Sequence, residues 1–133
     1  MILRITYFTA IAAVLSTMLL VVLTHIPSRS IPEFLRENDK MLHYGAYAIV
    51  SLLYGVSFAS KGYKGIIWLL LISIFLAAVA AGDEYTQQYF GRTTDIRDYY
   101  ADLRGIATGI GISFVYWSMK TIFALKFKVT ISK

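Results

Sequence analysis

The chain has 133 residues, 57% hydrophobic and 16% charged, with a mean hydropathy of +0.60 and a formal net charge of +5. That much apolar surface cannot be hidden inside a water-soluble domain of this length, which leaves a membrane domain. There is no cysteine, which excludes disulfides and thiolate chemistry. The basic residues flank apolar runs and form no basic groove, which argues against nucleic acid.

Crossing a bilayer takes about 20 apolar residues in a helix. Four runs of that length predict membrane spans over residues 5–25, 41–60, 65–84 and 102–125, the last interrupted by Arg104 and Lys120. None contains an internal proline, and in lipid each has to be helical to satisfy its own backbone. The first run follows a single charge, Arg4. It is longer than a signal-peptide core and precedes no small-residue cleavage pattern, so it reads as a retained span. No repeat, low-complexity tract or soluble domain is visible. The expected fold is all-α: one polytopic four-helix bundle over residues 1–133.

Four spans place both termini on one side. That side carries Arg4, Lys61, Lys64, Lys120, Lys126, Lys128 and Lys133 and no acid. Arg29, Arg36, Lys40, Arg92, Arg97 and Arg104 lie on the other side with all eight acids. The bias in Lys and Arg alone is slight, but Lys61 and Lys64 sit in a tight hairpin, where the positive-inside rule is strongest. The expectation is a multi-pass protein of the cell (inner) membrane with cytoplasmic termini and acid-rich loops facing outward. The alternating basic and apolar tail after Leu125 suits either a segment lying on anionic lipid or a frayed end.

The acids and both histidines fall in two segments, 25–43 and 83–102. A membrane chain that gathers acids on one side is either avoiding a cost or building a site. At the start of the second span, Asp39, His43 and Tyr47 share one helix face at i, i+4, i+8. A capped helix with an interfacial histidine explains them equally. The third span ends in Asp83 and Glu84, followed by Gln87. Acids at a helix C-terminus are disfavoured by its partial negative charge, so something positive must compensate. Arg92, after the turn at Gly91, is the nearest candidate in sequence; a protonated His43 or a metal ion would also serve.

In the fourth segment Asp95, Asp98, Asp102, Gly105 and Gly109 keep one seam at 3-4-3-4 spacing. Gly105 and Gly109 permit close approach of a neighbouring backbone. Thr94 or Asp95 can cap the start, and Arg97 and Arg104 are placed to offset the acids. A charged helix end protruding into water, followed by a packing motif, explains the glycines as well. Two pairings are expected: Arg92 with at least one of Asp83, Glu84, Asp95 or Asp98, and His43 with the Asp83–Gln87 turn.

Taken in order, Asp39-Lys40-x-x-His43-x-x-x-Tyr47, Asp83-Glu84-x-x-Gln87, Gly91-Arg92-x-x-Asp95-x-x-Asp98 and Gly105-x-x-x-Gly109 resemble the VanZ-like family of small integral membrane proteins. The resemblance covers residues 27–112. It implies a cell-envelope role, the family being named for a protein linked to teicoplanin resistance. Members usually carry Asn where this chain has Asp102 and a small or apolar residue where it has Arg104, so the two read as a compensating pair.

The expected binding set is Asp39, His43, Asp83, Glu84, Gln87, Arg92, Asp95 and Asp98, converging at the outer membrane face. Its expected ligand is a lipid headgroup, a glycopeptide or a cell-envelope precursor. One alternative is an accessory structural subunit of a larger membrane complex. Another is a metal-assisted enzyme acting on a lipid-linked phosphate. No cofactor or metal ligand set is assigned, although hard oxygen ligands would admit Mg²⁺ or Ca²⁺. Expected partners are membrane lipid and other membrane-protein subunits. A transport path is disfavoured, because apart from His43 no ionisable residue lies far inside a span, and such a path normally needs polar groups at the midplane.

Overall fold

The computed structural model describes the backbone of residues 2–58 and 64–131, and the side chains of residues 7–27, 29–58 and 65–123. The hairpin at 61–63, the Lys64 side chain and the side chains of the basic tail lie outside the described residues.

Among the described residues five α-helices follow one another: α1 (Ile2–Thr24), α2 (Glu33–Glu37), α3 (Asp39–Phe58), α4 (Lys64–Gln87) and α5 (Ile96–Ile131). There is no strand among the described residues. All but α2 are long and apolar enough to cross a membrane. The chain is therefore an all-α, multi-pass membrane protein. The one-turn helix α2 was not expected. Pro32 precedes it with an extended backbone (φ −54°, ψ 142°), and Asn38 closes it by donating to Leu35 O.

Large apolar side chains point outward along the spans, among them Phe8, Ile11, Leu15 and Met18 on α1 and Leu70, Leu71, Ile74 and Phe75 on α4. In lipid such a surface carries no penalty, and the helices associate through close packing and hydrogen bonds. The core is correspondingly thin: Leu20, Tyr47, Val50, Ile72, Leu76, Ala80 and Ile106.

The closest helix pair is α3 with α5. A Cβ on Gly105 would meet Tyr44 O, Ala48 N and Tyr47 Cβ; one on Gly109 would meet Ser51 Oγ, Ala48 O and Leu52 N. Both glycines thus lie in a helix–helix contact, as their spacing suggested. The seam continues where Gly55 faces Ser113, which no motif in the sequence had marked. Ser51 Oγ reaches Gly105 O at 3.5 Å, and Ser113 Oγ reaches Leu52 O at 3.4 Å.

Two boundaries matter for the site. Helix α4 continues beyond residue 84 to Gln87, and α5 begins at Ile96, ahead of the expected 102. Asp83, Glu84, Gln87, Asp98 and Asp102 are therefore all helical. A 3₁₀ turn over Gln88–Phe90 and a left-handed Gly91 (φ 73°) bring Arg92 back over the bundle end. The end of α1, the start of α3, the end of α4 and the start of α5 meet there.

Candidate functional site

The deepest polar contact joins α3 to α5. His43 Nδ1 lies 2.9 Å from Asp102 Oδ1, and both side chains are almost wholly buried. At 1.5 Å per residue, His43 sits about 6 Å inside the start of α3 and Asp102 about 9 Å inside the start of α5. The bond spans the α3–α5 contact just outside Gly105. Both groups stay buried because the glycine seam brings the two backbones so close. One turn below His43, Tyr47 is also buried. Tyr47 Oη and Asp102 Oδ2 accept or donate no hydrogen bond, and neither does Asp98 Oδ1.

The acids ending α4 are held by a different set. Thr24 Oγ1 donates to Asp83 Oδ1 at 2.7 Å, and His25 Nδ1 lies 3.4 Å from the same oxygen. Gln87 Nε2 donates to Asp83 Oδ2 at 3.3 Å and to Glu84 Oε2 at 3.4 Å. The Asp95 backbone N–H donates to Glu84 Oε1. His25 Nε2 lies 2.9 Å from Thr86 Oγ1, and the ring packs edge-on against Phe90. The unfavourable acids at this C-terminus are thus compensated by the last turn of α1 and by the N-terminal approach to α5.

At the rim, Arg92 Nη2 contacts both oxygens of Asp39, at 2.9 and 3.1 Å, and Nη1 donates to Thr24 O at 3.3 Å. Lys40 Nζ lies 3.2 Å from Asp95 Oδ2 and 3.3 Å from Asp98 Oδ1, the latter without hydrogen-bond geometry. Asp95 caps α5 by accepting the Arg97 N–H at 2.9 Å. That bond, with help from Lys40, holds the Asp95 carboxyl below the usual range for aspartate.

A cavity of about 330 Å³ opens beside this rim. Its wall is apolar, built by Leu20, Leu23, Ile26, Ile31, Leu35 and Leu42, and Asp39, His43 and Arg92 also line it. One donor atom from each of Asp39, His43 and Asp98 lies within 4.8 Å of the others, close enough to hold a metal ion after small adjustments.

Several expectations require correction. All eight expected site residues gather at this bundle end, but with different partners. Among the described ion pairs, Arg92 holds Asp39 and none of Asp83, Glu84, Asp95 or Asp98. His43 binds Asp102, and the histidine beside Asp83 is His25. Asp102 and Arg104 do not compensate each other: they lie two residues apart on one helix, so Asp102 is buried and Arg104 exposed. Lys40, not Arg97 or Arg104, spans Asp95 and Asp98. Thr24, His25, Lys40 and Asp102 are site residues that sequence reasoning left out. For Asp102 the signal was present, since it shares the 3-4-3-4 seam with Asp98 and Gly105. For Thr24 and His25 no local pattern exists, because their partners lie about 60 residues away.

Compared with known protein families, curated proteins and solved structures, the chain matched none.

Proposed function

We propose that this chain binds a phosphate-bearing membrane amphiphile, a phospholipid headgroup or a lipid-linked cell-envelope precursor, at the outer face of the cell membrane. The observation that carries this reading is the cavity, which joins a largely apolar wall to a charged end formed by Asp39, His43 and Arg92. Its volume falls in the range of small-molecule sites, about 300–1,000 Å³. An acyl or isoprenoid chain suits the leucine and isoleucine wall. A phosphate suits Arg92, whose guanidinium meets Asp39 through one nitrogen and so is not saturated by a two-pronged carboxylate pair. The VanZ-like order of motifs and the outward orientation inferred from Lys61 and Lys64 belong to the same reading and agree with an envelope role.

The test is to purify the full chain in mild detergent and identify retained lipid by native mass spectrometry. Ala46 lines the cavity, so Ala46→Trp fills it. Wild-type protein should retain a phosphate-bearing lipid, with headgroup masses separating phospholipid from lipid-linked precursor. Ala46→Trp should lose it. Equal retention by both proteins, or no lipid on either, would overturn the reading.

A further inference from the structure

We propose that Asp39, His43 and Asp98 form a three-ligand site for a divalent transition-metal ion, with Asp102 orienting the histidine from behind. The argument starts at His43 Nδ1, 2.9 Å from a buried carboxylate oxygen. A carboxylate accepts and cannot donate, so Nδ1 carries the hydrogen; this protonation is assigned from the partner. In the neutral ring, Nε2 then bears a lone pair. That lone pair faces another acceptor, Asp39 Oδ1, at 3.8 Å, which is too long for a hydrogen bond. Nε2 thus aims a lone pair toward the Asp39 carboxylate, whose Oδ1 Arg92 Nη2 holds at 3.1 Å.

A second observation is independent of this pair. Asp98 is 5% exposed, and its Oδ1 accepts no hydrogen bond. The Lys40 ammonium stands 3.3 Å away, on a side chain that is half exposed and free to withdraw into solvent. Asp98 Oδ1 is thus ion-paired but accepts no well-formed hydrogen bond. A metal ion that displaced Lys40 would give Asp98 Oδ1 and His43 Nε2 a common partner. The donor atoms lie within 4.8 Å of one another. Ligands of one tetrahedral ion stand about 3.4 Å apart, given bond lengths near 2.1 Å. Side-chain rotations of about an ångström would close the difference.

The pattern around the histidine agrees with metal sites in general. A metal-ligating imidazole almost always donates its other N–H to a carboxylate or carbonyl, which fixes the ring and raises its basicity. Asp102 occupies that place. Asp39, Asp98 and Asp102 outnumber the neighbouring cations Arg92 and Lys40, and this excess of negative charge favours a cation. One nitrogen and two oxygens favour Zn²⁺ or Mn²⁺ over the all-oxygen environments of Mg²⁺ and Ca²⁺. Arg92 Nη2 holds both Asp39 oxygens, at 2.9 and 3.1 Å, so an ion would share Oδ1 with the longer of these bonds. The site does not depend on an amphiphile in the cavity, and it is tested without one.

The full chain, stripped with chelator in detergent, is titrated calorimetrically with ZnCl₂ and with MnCl₂. One ion per chain is expected for at least one of the two metals. Asp102→Asn should weaken binding about 10–100-fold, the usual loss when a group behind a ligand is changed. His43→Ala and Asp98→Asn should weaken it further, and Lys40→Ala should tighten it by removing the competing ammonium. Electron spin-echo spectra of the Mn²⁺-loaded protein should show nitrogen modulation that disappears in His43→Ala. No stoichiometric ion in the wild type would overturn the site, and so would unchanged affinity in folded His43→Ala. Should the ligand variants fail to fold, Lys40→Ala decides: tighter binding supports the site, and unchanged binding overturns it. Lipid retention plays no part in these measurements, so this site and the cavity reading fail separately.

Discussion

Replacing Gly109 by alanine tests the contact that brings the whole polar end together. The added Cβ would meet Ser51 Oγ and Ala48 O, and would stand 2.7 Å from Leu52 N. The serine hydroxyl can rotate, but Ala48 O and Leu52 N belong to the α3 backbone. Ordinary contact begins near 3.4 Å, so α3 and α5 would have to move apart by the better part of an ångström. Overpacking of this kind costs about 1–3 kcal/mol. Alanine also returns up to about 1 kcal/mol of helix propensity. Gly111→Ala carries the same propensity gain but has nothing within 4 Å of its new Cβ. The difference between the two variants therefore isolates the contact term, about 1–3 kcal/mol in favour of Gly111→Ala. Helicity followed through a titration of the mild-detergent protein with a denaturing detergent measures both. Equal stabilities for the two variants would refute the claim that backbone contact at Gly109 holds α3 to α5.

Three further outcomes follow from the site. Asp102→Ala should destabilise the bundle by about 1–3 kcal/mol in the same titration, because it strands the buried Nδ1–H of His43, whereas Arg104→Ala should stay within about 0.5 kcal/mol; comparable losses would contradict the pairing of Asp102 with His43. Asp95 has a folded pKa below its unfolded value of about 3.9, so its stabilising effect is full above that value and disappears as pH falls through the lower folded one. The difference in stability between wild type and Asp95→Asn should therefore be present at pH 7 and shrink in acid, and a difference that grows in acid would reverse the sign. A cysteine placed at Ser30 should react with a membrane-impermeant thiol reagent added outside intact cells, and protection there would invert the proposed orientation.

The spans were legible in the sequence because hydrocarbon imposes a one-dimensional rule: a run of apolar residues long enough to cross must be a helix. The glycine seam was legible for a related reason, since i, i+4 spacing on a helix determines a face without reference to any partner. The gathering of acids at one bundle end followed from counting spans, which places the ends of α1 and α4 beside the starts of α3 and α5.

Partner choice was not legible. Arg92 is close in sequence to Asp95 and Asp98, yet it binds Asp39, and Asp83 turns to Thr24 and His25 instead of His43. Both results depend on how each helix is rotated about its axis and on where the turn at Gly91 aims the chain. The α3–α5 contact sets much of that rotation. By bringing Gly105 against Tyr44 and Ala48 it sets Asp102, one turn outward, against His43. Sequence spacing determines which residues share a face of one helix. Which face of another helix it meets is decided by packing across the whole bundle, and only the tertiary structure contains that information.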